Sequence, residues 1–339
     1  MTSVSLIGYG YWGRNIARVV SQSGRFRLLE ICDIDPEARN QAAAIYPGVR
    51  LSDGFQLPDK EAEVVAIMTP VASHYDLAKR CLQDDRHVWL TKPMTMTLAE
   101  AADLVELAEK KNRTVFVDHT FIFNPAVRKM KELLPRIGEP YFLLSHRMNL
   151  GRYQEDVNVI YDLAPHDLSI MTYLFGQNVV SAETFTCAAA GLPQEDLAHA
   201  NLVTDKGIKA LVTWSWLSPF KVRQMFLIGS KGMLFYDDAE VTGKVKFFDR
   251  EVTVEEMQDA HSAKALATRI SYRSGDLYSP TIPTTEALAL ETEELDRALK
   301  DPETRHYYHH LSLQVMQGMD VILQPLNQAA RPSKISATR

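Results

Sequence analysis

Three groups of residues have types and spacings that could do chemistry. Gly8-Tyr9-Gly10-Tyr11-Trp12-Gly13 is a G-x-G-x-x-G run between an apolar strand-like segment, Val4–Ile7, and a helical segment carrying Ile16, Ala17 and Val20. In that context Gly8 allows a tight turn, Gly10 lets backbone approach a pyrophosphate, and Gly13 permits close helix–strand packing, with the diphosphate on the helix N-terminus. Asp33 ends the next apolar run and can accept hydrogen bonds from a ribose diol. Further along, Lys92 precedes Pro93, and Asp162 lies four residues before His166, which follows Pro165. Oxidising a secondary alcohol removes the hydroxyl proton as hydride leaves carbon, which calls for a base titrating near neutrality and a cation that polarises the oxygen. Lys92 and His166 supply those two functions, and a carboxylate at the Asp162 spacing can orient the imidazole.

These residues need a scaffold, and the pattern up to about residue 120 provides one. Short apolar runs at Val4–Ile7, Phe26–Cys32, Val64–Met68, His87–Leu90 and Thr114–Val117 alternate with amphipathic segments at 12–22, 36–45, 73–83 and 97–111. That βαβα rhythm predicts a doubly wound parallel sheet covered by helices on both faces. Ser73 with Asp76, and Thr97 with Glu100, fit a helix capping pattern. Ligands in such a sheet bind outside the carboxyl ends of the strands. Thr69-Pro70 and His74, after the run 64–68, and Lys92-Pro93, after 87–90, therefore border the cofactor.

The rhythm changes near Asn124-Pro125, where Asn can cap a helix and Pro can occupy its first turn. Strand-like runs at about 140–149, 178–190, 199–204, 207–217, 223–229 and 232–236, with turns at Asp205-Lys206-Gly207 and Ser230-Lys231-Gly232, predict a mainly antiparallel open sheet. Helices at 165–175, 285–300 and 307–323 are expected to cover one of its faces and leave the other for solvent or another subunit. The fold class is thus α/β: a Rossmann domain over 1–120, then an α+β substrate-binding and oligomerisation domain over 121–339. Polar residues on the first run of that domain and just after it, Arg147, Asn149, Arg152, Tyr153 and Asn158, are candidate substrate contacts.

Bulk properties narrow the partners. The 339 residues include 37 Lys and Arg against 43 Asp and Glu, a net charge of −6, with no basic block to suit nucleic acid or an anionic membrane. No apolar run approaches the ~18 residues that span a bilayer, so a cytoplasmic protein acting on a small molecule is expected. Cys32, Cys81 and Cys187 are few, scattered and set in apolar stretches, which reads as thiols rather than disulfides or a metal site. His306, His309 and His310 lack metal-ligand company, and no metal is expected.

Taken in order, Gly8–Gly13, Thr69–His74, Thr91-Lys92-Pro93, His119–Pro125 and Asp162–Asp167 resemble the glucose-fructose oxidoreductase / inositol dehydrogenase (Gfo/Idh/MocA) family of sugar and cyclitol dehydrogenases. The resemblance is specific through about residue 176 and one of general layout beyond. It implies a Rossmann domain followed by a sheet domain, in homodimers or homotetramers built through the open sheet face. The stretch from His119 to Arg128, with Asn149-Leu150-Gly151, Gln154, Asp156–Val159 and Asp162–His166, looks like the branch acting on nucleotide-linked sugars, including dehydrogenases of UDP-N-acetylglucosamine-type uronates. One position departs from the pattern: Thr91 stands where the family commonly has Glu, which is expected to ease deprotonation of Lys92 or to signal an altered substrate or weakened catalysis.

The resulting expectation is an NAD-dependent enzyme that transfers hydride between nicotinamide and a ring carbon of a sugar or nucleotide-linked sugar. Asp33 favours NAD over NADP, although Arg39 keeps a 2′-phosphate within reach. A redox-assisted glycoside hydrolase, a keto-sugar reductase and a non-catalytic dinucleotide sensor would share these motifs.

Overall fold

The computed structural model describes residues 1–53, 60–151, 153–257 and 267–329. In chain order its principal elements begin with β1 (Thr2–Ile7), α1 (Tyr11–Gln22), β2 (Phe26–Cys32), α2 (Pro36–Ile45), β3 (Arg50–Ser52), β4 (Val64–Ile67), α3 (His74–Gln83), β5 (His87–Thr91), α4 (Leu98–Lys110), β6 (Val115–Asp118) and α5 (Thr120–Phe123). They continue with α6 (Pro125–Leu133), β7 (Pro140–Leu150), α7 (Val159–Phe175), β8 (Val179–Cys187), β9 (Leu197–Thr204), β10 (Lys209–Ser215), β11 (Leu217–Gly229), β12 (Met233–Asp237), β13 (Val245–Met257), β14 (Ala267–Tyr278), α8 (Ala287–Lys300) and α9 (Pro302–Ala329).

The chain divides into two compact units, one of residues 1–124, 160–178 and 285–339, the other of 125–159 and 179–284. The first is built on a parallel sheet in the order β3-β2-β1-β4-β5-β6. All four residues of β4, at its centre, and of β6, at its edge, are buried. That is why they read as unbroken apolar runs. Helix α4 starts with the expected capping box, Thr97 Oγ1 accepting from Glu100 N and Glu100 accepting from Thr97 N. The corresponding Ser73–Asp76 cap does not form. Ser73 lies in a short 3-10 turn over 71–73, and its hydroxyl turns back to the Pro70 carbonyl at 2.8 Å and Thr69 Oγ1 at 2.6 Å.

A second correction concerns the helices expected to cover the antiparallel sheet. Segments 160–178 and 285–339 belong to the parallel-sheet unit. There α8 and α9 pack on each other and on β6 and α4, burying Leu288, Leu295, Leu311, Val315 and Met319. Local amphipathicity states that a helix has a buried face, not which sheet receives it.

The second unit carries eight strands in the order β14-β13-β12-β11-β7-β10-β9-β8, antiparallel except for the β7–β10 pair. Burial alternates along β9 and β10, as in a sheet with one covered face. Strands β13 and β14 carry no sequence expectation. Their pairing places Arg273 against Asp249 at 2.6 Å and Glu251 at 3.1 Å, charges that obscure apolar alternation when read one strand at a time.

Candidate active site

The chain leaves β1 at Gly8 with φ +91°, where a Cβ would lie 2.7 Å from the Met68 carbonyl oxygen. A Cβ on Gly13 would lie 1.9 Å from the Gly8 oxygen, so that helix and loop touch only because both residues are glycine. Gly10 is different in kind. It is the N-cap of α1, no side chain caps that end, and nothing lies within 4 Å of where its Cβ would be. An uncapped helix N-terminus behind an open glycine is the cradle that a diphosphate fits.

Asp33 holds this loop from the neighbouring strand. Its Oδ2 accepts from Tyr9 N at 2.6 Å and its Oδ1 from Asp35 N at 2.8 Å. Arg39 does not extend toward a ligand: Nη1 donates to the carbonyls of Asp33 at 2.7 Å and Ile34 at 3.1 Å. A cleft of about 550 Å³ runs over these strand ends, lined by Gly8, Gly10, Asp33, Thr69, Pro70 and Arg80 among others. It lies at the β1/β4 boundary, where the sheet order reverses direction and ligands of such sheets bind. Tyr11 is exposed at the helix start, whereas the Trp12 indole donates to Asp118.

His74 is fully buried and ties two cleft-edge segments together, Nδ1 lying 3.0 Å from the Pro93 oxygen and Nε2 2.8 Å from that of Thr69. Burial lowers its pKa, so the ring is neutral and donates through one nitrogen only.

Lys92 follows β5 and enters a cis peptide bond with Pro93. Its Nζ donates to Asp162 Oδ1 at 2.7 Å and to the Asp162 carbonyl at 2.5 Å. Helix α7 begins at Val159, so Pro165 sits inside it rather than in its first turn. The proline lacks the N–H that would bond the Tyr161 carbonyl. The Tyr161 hydroxyl fixes α7 against the segment after Lys92 by donating to the Met96 carbonyl at 3.2 Å. His166 lies one helical turn beyond Asp162, its ring meeting Phe121 edge-on at 5.0 Å. Lys92 therefore has a carboxylate neighbour despite Thr91, supplied by a residue 70 positions away.

The other candidates lie in the second unit. Arg147 is buried on β7, paired across the sheet with Arg223 and Trp214, and Asn149 is half-buried two residues on. The Tyr153 hydroxyl accepts from Gln194 N at 3.0 Å and its ring meets Trp216 edge-on at 5.7 Å. Asn158 donates to Glu195 Oε2 at 3.2 Å. Arg152 lies outside the described residues.

Three residues of the first unit escaped the residue-by-residue reading. Asp118 ends β6 beside the end of β5, His119 follows it, and Glu291 lies on α8. Both ring nitrogens of His119 are buried without a partner among the described residues. Burial, and then the Lys92 charge, push its pKa down to about 3, so it is neutral. The segment His119–Pro125 stood out in the sequence by its position after a strand, but nothing in it distinguished the His119 side chain, and Asp118 lies just before it. Glu291 carries no local signal at all.

Comparison with known proteins identifies the family. Residues 2–119 match the model of an oxidoreductase family with an NAD-binding Rossmann fold, and residues 128–235 match the GFO/IDH/MocA C-terminal domain, together more than half of the chain. An uncharacterized oxidoreductase, YdgJ, of Escherichia coli is 30% identical over 216 residues, covering 59% of this chain and 61% of its own. UDP-N-acetylglucosamine 3-dehydrogenase of Acidithiobacillus ferrooxidans is 25% identical over 209 residues, covering 60% and 64% respectively. The chain thus spans under two thirds of the length of these relatives. In structure it is similar to KijD10, a 3-ketoreductase from Actinomadura kijaniata in complex with TDP-benzene and NADP, at a TM-score of 0.73 and 16% identity over 95% of this chain and 97% of that one. With both domain models matched in order over more than half of its length, the chain belongs to the GFO/IDH/MocA family of NAD-binding oxidoreductases.

Proposed function

We propose that this protein is an NAD-dependent dehydrogenase acting on a ring hydroxyl of a nucleotide-linked sugar. The observation that carries the reading is the contact of Lys92 with Asp162, with His166 one turn away, in the unit that holds the glycine cradle. Gly8, Gly10, Gly13 and Asp33 would hold the dinucleotide, with Thr69, Pro70 and Pro93 bordering it. When bound, NAD supplies the hydride acceptor.

The side chains account for the rest of the chemistry. Lys92 Nζ, held by Asp162, presents a cation to the substrate oxygen, and a neutral His166 takes the hydroxyl proton as the carbon is oxidised. His166 is thereby protonated, and the carbonyl product keeps its oxygen against the Lys92 ammonium. Asp162 keeps Lys92 at the reacting oxygen. Arg147, Asn149, Arg152, Tyr153 and Asn158 stay candidate substrate contacts by residue type, and the second unit carries an open sheet face for pairing subunits. The similarity to UDP-N-acetylglucosamine 3-dehydrogenase supports the nucleotide-sugar class.

The test is to incubate the purified protein with NAD and a panel of UDP- and TDP-linked sugars, free sugars and inositols, following absorbance of the reduced cofactor. Reduction with nucleotide sugars and not with free sugars or cyclitols is expected. Reduction only with free sugars or cyclitols would overturn the substrate class. NAD binding without turnover of any member, in either direction, would favour a sensor.

A further inference from the structure

The parallel-sheet unit holds a second group of acids. Asp118, the last residue of β6, is 1% exposed and Glu291 of α8 is 0% exposed. Asp118 Oδ2 accepts the Trp12 indole N–H, and Oδ1 accepts the Thr120 backbone N–H at 3.1 Å and the Thr120 hydroxyl. Glu291 Oε1 accepts the Trp89 indole N–H at 3.2 Å. Its Oε2 has no donor among the described residues, while its carboxyl is in hydrogen-bonding contact with Asp118.

Two ionised carboxylates cannot share such a contact, so one of them keeps a proton. Asp118 already has three donors aimed at it, which suit a carboxylate. Burial, and then the Asp118 charge, push the Glu291 pKa well above the usual carboxylate range. The proton therefore sits on Glu291, and its O–H donates to Asp118. The groups packed around α8 leave that arrangement undisturbed. Trp89 and Thr120 are neutral, and the Tyr308 hydroxyl of α9 turns to Glu294 at 3.3 Å. Arg18 of α1 is spent at the surface on Glu286 at 2.6 Å.

The chain of contacts ends in the glycine motif, because Trp12 is the second residue of α1, whose first turn faces the cradle at Gly10. A helix N-terminus binds phosphate through the direction of its N–H groups, and a small tilt misaligns them. We propose that Glu291 is a positioning residue for the dinucleotide: through Asp118 and the Trp12 indole, its carboxyl O–H holds the first turn of α1 in the orientation that receives the diphosphate. This rests on the dinucleotide reading of the glycine loop and not on the identity of the sugar.

ADP-ribose carries the diphosphate but no nicotinamide, so its binding reports on the cradle without chemistry. We would titrate it calorimetrically into the full-length protein and into Glu291→Gln, Glu291→Leu, Trp12→Phe and the Glu291→Leu/Trp12→Phe double variant, recording Tm for each. Glutamine keeps a donor for Asp118 and an acceptor for Trp89, and should retain wild-type affinity. Leucine and Trp12→Phe should each weaken ADP-ribose roughly tenfold, the scale of one lost hydrogen bond to a buried charge. The double variant should be no weaker than the worse single one, because both act on one path. Unchanged affinity in Trp12→Phe, additive losses in the double variant, or a glutamine variant as weak as leucine would each overturn the proposal. So would a leucine variant with lowered Tm and unchanged affinity. Should leucine prevent folding, Trp12→Phe and Glu291→Gln still decide. Inert sugars would leave the proposal standing, whereas a wild-type protein that does not bind ADP-ribose would overturn both it and the cofactor reading.

Discussion

The two units differ in how their sheets meet solvent, and the difference governs what each can do. In the parallel sheet β4 and β6 are buried along their whole length, so their polar side chains can reach a ligand only at the strand ends. The glycine cradle, Asp33, Lys92, Asp118 and His119 all sit there. In the antiparallel sheet burial alternates along β9 and β10, so one face there turns outward. Leu211, Leu144, Phe226 and Phe235 are neighbours across four strands of it, and Phe226 and Phe235 touch at 4.7 Å between ring centroids. Such a stripe suits another protein surface better than a small polar substrate. One unit gathers polar side chains at an edge; the other spreads apolar side chains over a face.

That division is open to direct attack. The largest expected effect is on turnover in the first unit. Lys92→Met and His166→Ala should each lower kcat by about 10²–10⁴-fold, the range of a positioned acid–base group, with NAD affinity nearly unchanged. Asp162→Asn should cost less, since Lys92 keeps the Asp162 carbonyl. Single-turnover reduction of bound NAD is the measurement, and wild-type rates in both of the first two variants would move the chemistry elsewhere.

In the second unit the corresponding change should leave chemistry alone. Phe226→Glu places a charge in the apolar stripe and should shift a wild-type oligomer toward monomer in sedimentation at micromolar concentration, with kcat per chain within a few-fold. A wild-type protein that is already a clean monomer would show that the face is solvated.

Acid should separate the units by stability. His87 Nδ1 accepts from Thr114 N, and His309 Nε2 accepts from Val115 N, each at 3.0 Å. Burial is the main cause that pushes both pKa values down to about 4, and His119 to about 3. The unfolded chain, with histidines near ~6.5, binds more protons over that interval, so stability is full above it and falls as pH drops from ~6.5 toward 4. All three residues belong to the first unit. Hydrogen exchange at pH 5 should show its amides losing protection relative to pH 7.5 more than those of the second unit. Equal losses would break the contrast.

The smallest effect concerns cofactor choice. Asp33 disfavours a 2′-phosphate and Arg39 is engaged by backbone carbonyls, so NAD should bind more tightly than NADP. Asp33→Ala should narrow the ratio several-fold. Its loss of the Tyr9 N contact should also weaken NAD itself. Equal wild-type affinities for the two cofactors would remove the argument.

Residue order alone determined a good deal of this protein. Strands buried on both faces announce themselves as apolar runs, glycines that touch backbone cannot be replaced, and a capping box is a local hydrogen-bond pattern. Hence β1 to β6 without β3, the cradle and the start of α4 were all legible, as was the place of Lys92 after a strand; that Asp162 and His166 share one helix was not, because the helix was expected to start only at Pro165. Tertiary structure decided what depends on distant partners. It gave Lys92 its carboxylate from Asp162, 70 residues away, and Asp118 its acid partner from Glu291. It assigned α8 and α9 to the parallel-sheet unit, because an amphipathic helix encodes a buried face without encoding an address. It also formed β13 and β14, whose charges make sense only once Arg273 lies across from Asp249 and Glu251. Periodicity and backbone sterics act over a few residues, whereas charge pairing and proton sharing act between whatever the fold brings together.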